Sequence, residues 1–156
     1  MTTLANSNTA TTADRRPIDV RGPRFGAAVT TVVLALTLLT IPTTLSVILL
    51  ALQTAAFALG SLVGLQAQPY GVFFRRVVRP RLAQPTEFED PAPPRFAQTV
   101  GLGFALVGLI GLLAGATTVA YVAVGFALAA AFLNAVFAYC LGCEVYLLGK
   151  RVLSRS

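Results

Sequence analysis

The residues best suited to chemistry lie near the end of the chain, in CLGCEVY at 140–146. Cys140 and Cys143 are the two cysteines of the sequence, spaced C-x-x-C, and Glu144 follows directly as a modulating acid. On a helix, positions three apart share a face with their Cβ atoms about 5–6 Å apart, so a small adjustment brings two sulfurs into bonding range. Gly142 makes that adjustment easy, because glycine readily bends or ends a helix. Three readings of the pair are open. A C-x-x-C facing a reducing compartment is more often kept as thiols than as a permanent disulfide, and its natural chemistry is thiol–disulfide exchange or sulfur relay. Zinc or an iron–sulfur cluster needs four ligands, whereas this chain has two thiols and no histidine, so only a homo-oligomer could assemble such a site. The third reading is structural, with two small polarizable side chains packed at a helix end to support folding or the docking of a partner.

What must position the pair is set by composition. Of 156 residues, 56% are apolar and 12% charged, and the mean hydropathy is +0.76. A soluble domain carries about a quarter charged residues, so this composition defines a membrane protein whose first partner is the lipid bilayer. Each span needs about 20 mostly apolar residues. Four such runs occur, at about 25–41, 45–65, 96–114 and 119–139. Pro42 ends the first run at IPTT, and GATT at 115–118 separates the third from the fourth. The net charge of +6 does not describe a nucleic-acid surface, because the basic residues flank apolar runs instead of interleaving with aromatics. All of them fall on one side of a four-span chain, which by the positive-inside rule puts both termini and the connector at 75–95 in the cytoplasm. Residues 1–20, rich in Thr, Ala and Asn, read as a disordered cytoplasmic tail, with no basic n-region and apolar h-region of a signal peptide. The connector, with Pro80, Pro85, Pro91, Pro93 and Pro94, reads as a solvated loop without regular structure in its second half.

The chain also carries a repeat. Pro23-Arg24-Phe25 matches Pro94-Arg95-Phe96, and YGVFFRRVV at 70–78 resembles CEVYLLGKRV at 143–152, with Tyr70 in the place of Cys143 and Gly71 in the place of Glu144. The expected fold is an all-α membrane protein of four transmembrane helices, arranged as two parallel-related helical hairpins in a 2+2 internal repeat over 21–153. Glycines and alanines four apart, Gly60 with Gly64, Gly111 with Gly115 and Gly125 with Ala129, are expected at helix contacts.

The P-R-F repeat, the segments PRFAQTVGLGFALVGL and YGVFFRRVVRPRL, and the terminal C-L-G-C-E pattern resemble, over about 18–152, a small bacterial family of integral membrane proteins known only as a domain of unknown function. The resemblance implies no activity. It does imply a cytoplasmic sulfur-transfer or thioredoxin-like protein as partner.

Beyond Gly142, CEVYLLGKRVL is expected to lie as an amphipathic helix along the interface, with Cys143 near its N-terminus, where a thiolate is favoured, and Glu144 opposing that effect. The repeat places Arg75 and Arg76 one to two turns beyond the depth of the cysteines, with Arg24 and Arg95 on the same side. That is an expected cationic ring able to favour thiolates and pair with Glu144. Inside the spans, Asn134 and Gln53 are the notable polar residues. They serve either as interhelical hydrogen bonds that fix registry or, more sharply, as the lining of a small-solute path in a transporter. No nucleotide loop, histidine acid–base site or Ser-His-Asp set can be assembled, so no cofactor or metal is expected. The function read from the sequence is therefore thiol–disulfide or sulfur-relay chemistry, against a non-catalytic membrane scaffold for a cytoplasmic partner.

Overall fold

A computed structural model describes residues 16–155. Most of the expected N-terminal tail lies outside these residues. Strand β1 (Ile18–Asp19) precedes α1 (Arg21–Thr40) and α2 (Thr44–Ala58), which continues through a π-helical turn at Leu59–Val63. A 3-10 turn at Leu65–Ala67 leads to the short α3 (Pro69–Phe73), extended by turns to Arg81. Strand β2 (Phe88–Glu89) follows, then α4 (Ala92–Leu113), α5 (Thr117–Phe137) and α6 (Leu141–Arg155). Helices α1, α2 with its π turn, α4 and α5 are each long and apolar enough to cross a membrane. The architecture is all-α.

The long helices form two hairpins that close a ring. Helix α1 packs on α2 and α5, and α4 packs on the same two. Each hairpin is followed by a segment that folds back onto its own first helix, α3 onto α1 and α6 onto α4. The aromatic contacts match: Phe25 of α1 stacks on Phe73 of α3 with centroids 5.9 Å apart, and Phe96 of α4 meets Tyr146 of α6 at 5.7 Å.

The burial pattern is that of a bundle solvated by hydrocarbon. Thr30, Thr37, Ser46, Gln53 and Thr54 are buried, while Leu39, Leu62, Ile110 and Leu113 stand on the outer surface. Apolar side chains lose nothing against lipid, so the interior holds polar groups that must satisfy one another. Gln53 donates from Nε2 to Thr30 Oγ1 at 3.2 Å and accepts from Tyr70 Oη at 2.7 Å, tying α2 to α1 and α3. Thr37 and Thr54 donate to carbonyls one turn back in their own helices. The apolar core comprises Leu34, Leu50, Phe57, Ala105, Val124 and Ala127. Gly108 lets the helices close there, since a Cβ on it would stand 3.0 Å from Val124 Cγ2 and 3.3 Å from Leu50 Cδ2.

Three features depart from the sequence reading. Within the segment read as tail, Ile18–Asp19 pairs antiparallel with Phe88–Glu89 of the connector. Asp19 is buried there, bridged to Arg21 at 2.9 Å and to Arg79 at 4.0 Å. The Arg21 guanidinium, which hydrogen-bonds the Asp19 carboxylate, holds that carboxyl below its usual range. Second, α4 begins at Ala92, four residues earlier than expected, because prolines are tolerated in a first helical turn where no intrahelical N–H is needed. Asp90 Oδ1 accepts from the Ala92 N–H at 2.9 Å and supplies the start. Third, Gly115 and Gly125 have open space around them and Gly64 meets Gln66 of its own turn, so of the glycines in the expected pairs Gly60 and Gly111 stand at contacts between segments.

Candidate functional site

The last long helix stops at Phe137. Ala138 takes a left-handed conformation at φ 54°, the Tyr139 N–H bonds back to the Leu133 carbonyl at 3.2 Å, and the chain turns into α6. Cys140 then stands at the head of α6: its carbonyl accepts from the Glu144 N–H at 3.0 Å, and its Sγ accepts from the Cys143 N–H at 3.2 Å. That is the N-cap arrangement, with sulfur in the place of the usual oxygen. Cys143 lies in the first turn, and the two sulfurs are joined as a disulfide. A helix expected beyond Gly142 is present as α6, but the residue at its cap is Cys140, one turn earlier than Cys143.

Gly142 explains how this head is held. A Cβ on it would lie 2.6 Å from Ala97 Cβ and 2.7 Å from Ala97 Cα, so α6 touches the backbone of α4 at a point where only glycine fits. Tyr146, one turn on, rests against Phe96. Leu141, Val145, Leu148 and Val152 are all exposed and spaced at helical intervals along α6.

The disulfide lies at one end of a cavity of about 730 Å³. All four long helices line it, α1 through Thr30, α2 through Phe57, α4 through Gly101 and Phe104, and α5 through Ala127 and Ala131. The bundle is tightly packed around Gly108 and opens toward the cysteines, where α5 presents alanines at 127, 130 and 131. Asn134 also lines this space, as do Glu87, Glu89, Asp90 and Glu144. These are four of the six acids in the chain, so negative charge gathers at the end that also holds the disulfide. Partial burial raises the Glu89 carboxyl above its usual range.

Three of the four arginines expected as a cationic ring bond backbone oxygens. Arg24 lines the cavity and donates to the Ala135 carbonyl at 3.4 Å, near the end of α5. Arg95 donates to the Ser61 and Leu62 carbonyls at 3.0 and 3.3 Å, groups belonging to the π turn that ends the second hairpin arm. Arg75 donates to Gln66 O at 2.7 Å, and Arg76 is exposed. Cationic side chains near helix C-termini satisfy carbonyls that have no intrahelical donor. Glu144 is exposed, and Asp19 pairs with Arg21 and Arg79. No cluster of three or more metal-ligating side chains occurs among the described residues.

Sequence reasoning missed the carboxylates of EFED at 87–90. Their signal was that a connector otherwise rich in arginine concentrates three acids immediately before the prolines that start α4.

Fold and site together define a class: an all-α chain with four helices of membrane-spanning length and a C-x-x-C disulfide at the head of an appended amphipathic helix. Residues 18–151 match the family model described as a domain of unknown function (DUF4395), and the chain belongs to that family. No curated protein and no solved structure matches it.

Proposed function

We propose that the protein exchanges thiols and disulfides between Cys140–Cys143 and a soluble partner at the cytoplasmic face of a bacterial inner membrane. The observation that carries the reading is the position of Cys140. Its sulfur accepts a backbone N–H at the start of a helix, where the helix dipole and the unpaired amides favour a thiolate. A thiolate stabilised in this way is a good leaving group and is the species that attacks disulfides. The orientation is supported by basic residues on one side of the spans and by short uncharged turns on the other.

In the exchange, a thiolate of the partner attacks Cys140 Sγ. The Cys140–Cys143 bond breaks, Cys143 leaves as a thiolate and takes a proton, and a mixed disulfide joins Cys140 to the partner. The second thiol of the partner attacks its own sulfur in that bond, and Cys140 is released. The partner loses two electrons, and the pair gains them with two protons. A thioredoxin-like or sulfur-transfer protein has the chemistry to serve as this partner. Arg24 and Asn134 flank the same cavity and contribute polar surface beside the pair.

The exposed stripe Leu141, Val145, Leu148 and Val152 favours a second reading, a non-catalytic scaffold on which α6 docks a partner. Acid-trapping and alkylation of native membranes separate the two. Exchange predicts that the pair cycles between oxidised and reduced forms, and that Cys143→Ser accumulates a mixed disulfide through Cys140 while Cys140→Ser does not. A pair that stays in one state in glutathione buffers of varied poise, with function kept in the Cys140→Ser, Cys143→Ser double variant, would sink the exchange reading.

A further inference from the structure

We propose that the cavity beneath the disulfide takes a lipid-soluble quinone, which accepts the two electrons of the reduced Cys140–Cys143 pair. The inference rests on the exchange reading, since it supplies the step that returns the pair to its disulfide. Electrons taken from a partner must leave the pair, and the structure shows where an acceptor fits. The cavity touches both cysteines at one end and runs into the bundle between Phe57, Phe104 and Phe126. Its volume of about 730 Å³ lies within the roughly 300–1,000 Å³ typical of small-molecule sites.

The walls fit that class of molecule. Phe104 and Phe126, whose ring centroids lie 6.0 Å apart, both line the cavity and keep exposed surface, 37% and 62%. On this proposal a quinone dissolved in the bilayer enters past these rings. Alanines at 127, 130 and 131 keep the interior open, where leucines would fill it. Polar groups are few and placed near the cysteines, as a ring with two oxygens and an apolar tail requires. Arg24 and Asn134 offer donors for a quinone carbonyl. Gln98 lines the same space, while its Oε1 is buried against Gly60 and faces away from a ligand. Glu87, Glu89 and Asp90 are carboxylates at the mouth that can relay protons.

The step balances. One thiolate attacks a ring carbon of the quinone to form an S–C bond. The second sulfur attacks the first, the S–S bond forms, the S–C bond breaks, and the electron pair leaves on the ring. The two protons of the thiols end on the two oxygens, so dithiol and quinone become disulfide and hydroquinone.

The test uses the full chain, reduced and reconstituted in phospholipid vesicles, with decylubiquinone as the probe and glutathione disulfide as a separate oxidant. Loss of quinone absorbance and loss of alkylatable thiols are followed together. The expected result is one hydroquinone formed for every two thiols lost. In Ala130→Leu and Ala131→Leu, each tested alone, the ratio of the quinone rate to the glutathione rate is expected to fall about tenfold or more, the effect of roughly 1.4 kcal/mol of overpacking. Since such variants risk misfolding, an azido-quinone is also photolysed on the unaltered protein, and labelling is expected in the α4 and α5 segments around 97–104 and 126–134. Intact glutathione exchange with no quinone reduction, an unchanged ratio in both variants, or label confined to other segments would overturn the quinone site and leave the exchange reading standing. Failure to react with glutathione disulfide as well would remove the exchange reading and this inference with it.

Discussion

Gly142 gives the sharpest test of how the site is built. In Gly142→Ala the added methyl would sit 2.6 Å from Ala97 Cβ and 2.7 Å from Ala97 Cα, about 0.8–1 Å short of ordinary carbon contact. Neither atom can swing aside, because both belong to the helical framework of α4. The head of α6 must therefore lift, which loosens the Phe96–Tyr146 contact and moves Cys140 and Cys143 away from the cavity. Overpacking of this kind costs about 1–3 kcal/mol, which corresponds to a rise of roughly 5- to 150-fold in the population with α6 undocked. Amide hydrogen exchange in detergent or nanodiscs reads that population directly, with α6 amides exchanging faster by that factor and α4 and α5 amides little changed. Adding Ala97→Gly removes the nearer atom and leaves the Cα in place, so a partial rescue is expected. Gly149→Ala serves as the control on the same helix: nothing lies within 4 Å of its site, and the gain in helix propensity of about 0.8–1 kcal/mol should slow exchange. If exchange of α6 in Gly142→Ala stays within about twofold of the unaltered protein, well under the 1 kcal/mol scale, the account of α6 docking is wrong.

Three further perturbations test the frame. Gln53→Leu keeps the volume but leaves Thr30 and the Tyr70 hydroxyl without their partner, and unfolding in mixed micelles should register a loss of about 0.6–2 kcal/mol, with Tyr70→Phe costing less. Ala138→Gly should stabilise, because a non-glycine residue at φ 54° carries a penalty of roughly 1–2 kcal/mol that glycine avoids; a lower thermal midpoint would contradict the turn assigned there. Arg21 depresses the Asp19 carboxyl below its ordinary 3.8, so the contribution of this pair to stability is complete above that pH and is lost as pH falls through the lowered folded-state value. Thermal unfolding followed downward from neutral pH should show this acid-side loss, and Asp19→Asn should start lower and lack it.

Much of the frame could be read before any coordinates. The runs of apolar residues, the break at Pro42 and the polar GATT turn mark the hairpins, because a bilayer allows few ways to bury a backbone. Gln53 was legible for the same reason: an amide in hydrocarbon must find partners, and Thr30 and Tyr70 are those partners. The helix bounds were less legible where local chemistry competes with hydropathy. Pro93 and Pro94 look like breakers in a list of residues, yet in a first turn they cost little, and the helix gains four residues from them. Ile18 and Asp19 look like the end of a polar tail, because two residues of strand pairing leave no periodic signal.

The site shows why charge alone misleads at a helix end. Arginines flanking a span carry two kinds of information, the side of the membrane and the identity of nearby carbonyls that need donors. Arg24, Arg75 and Arg95 each resolve to a backbone oxygen at short range, which explains their positions without reference to the cysteines. The feature near the pair is instead negative, and it comes from Glu87, Glu89 and Asp90 in a connector that composition alone describes as solvated. A carboxylate cluster beside a disulfide works against thiolate formation at long range, while the Cys143 N–H on Cys140 Sγ works for it at 3.2 Å. At that distance the amide acts directly on one sulfur, whereas the exposed Glu87 and Asp90 act through water and are screened. Under the proposed exchange the asymmetry gives the two cysteines different parts, with Cys140 carrying the mixed disulfide and Cys143 leaving as that bond forms. That division of labour follows from the cap and would be lost if α6 began one turn later.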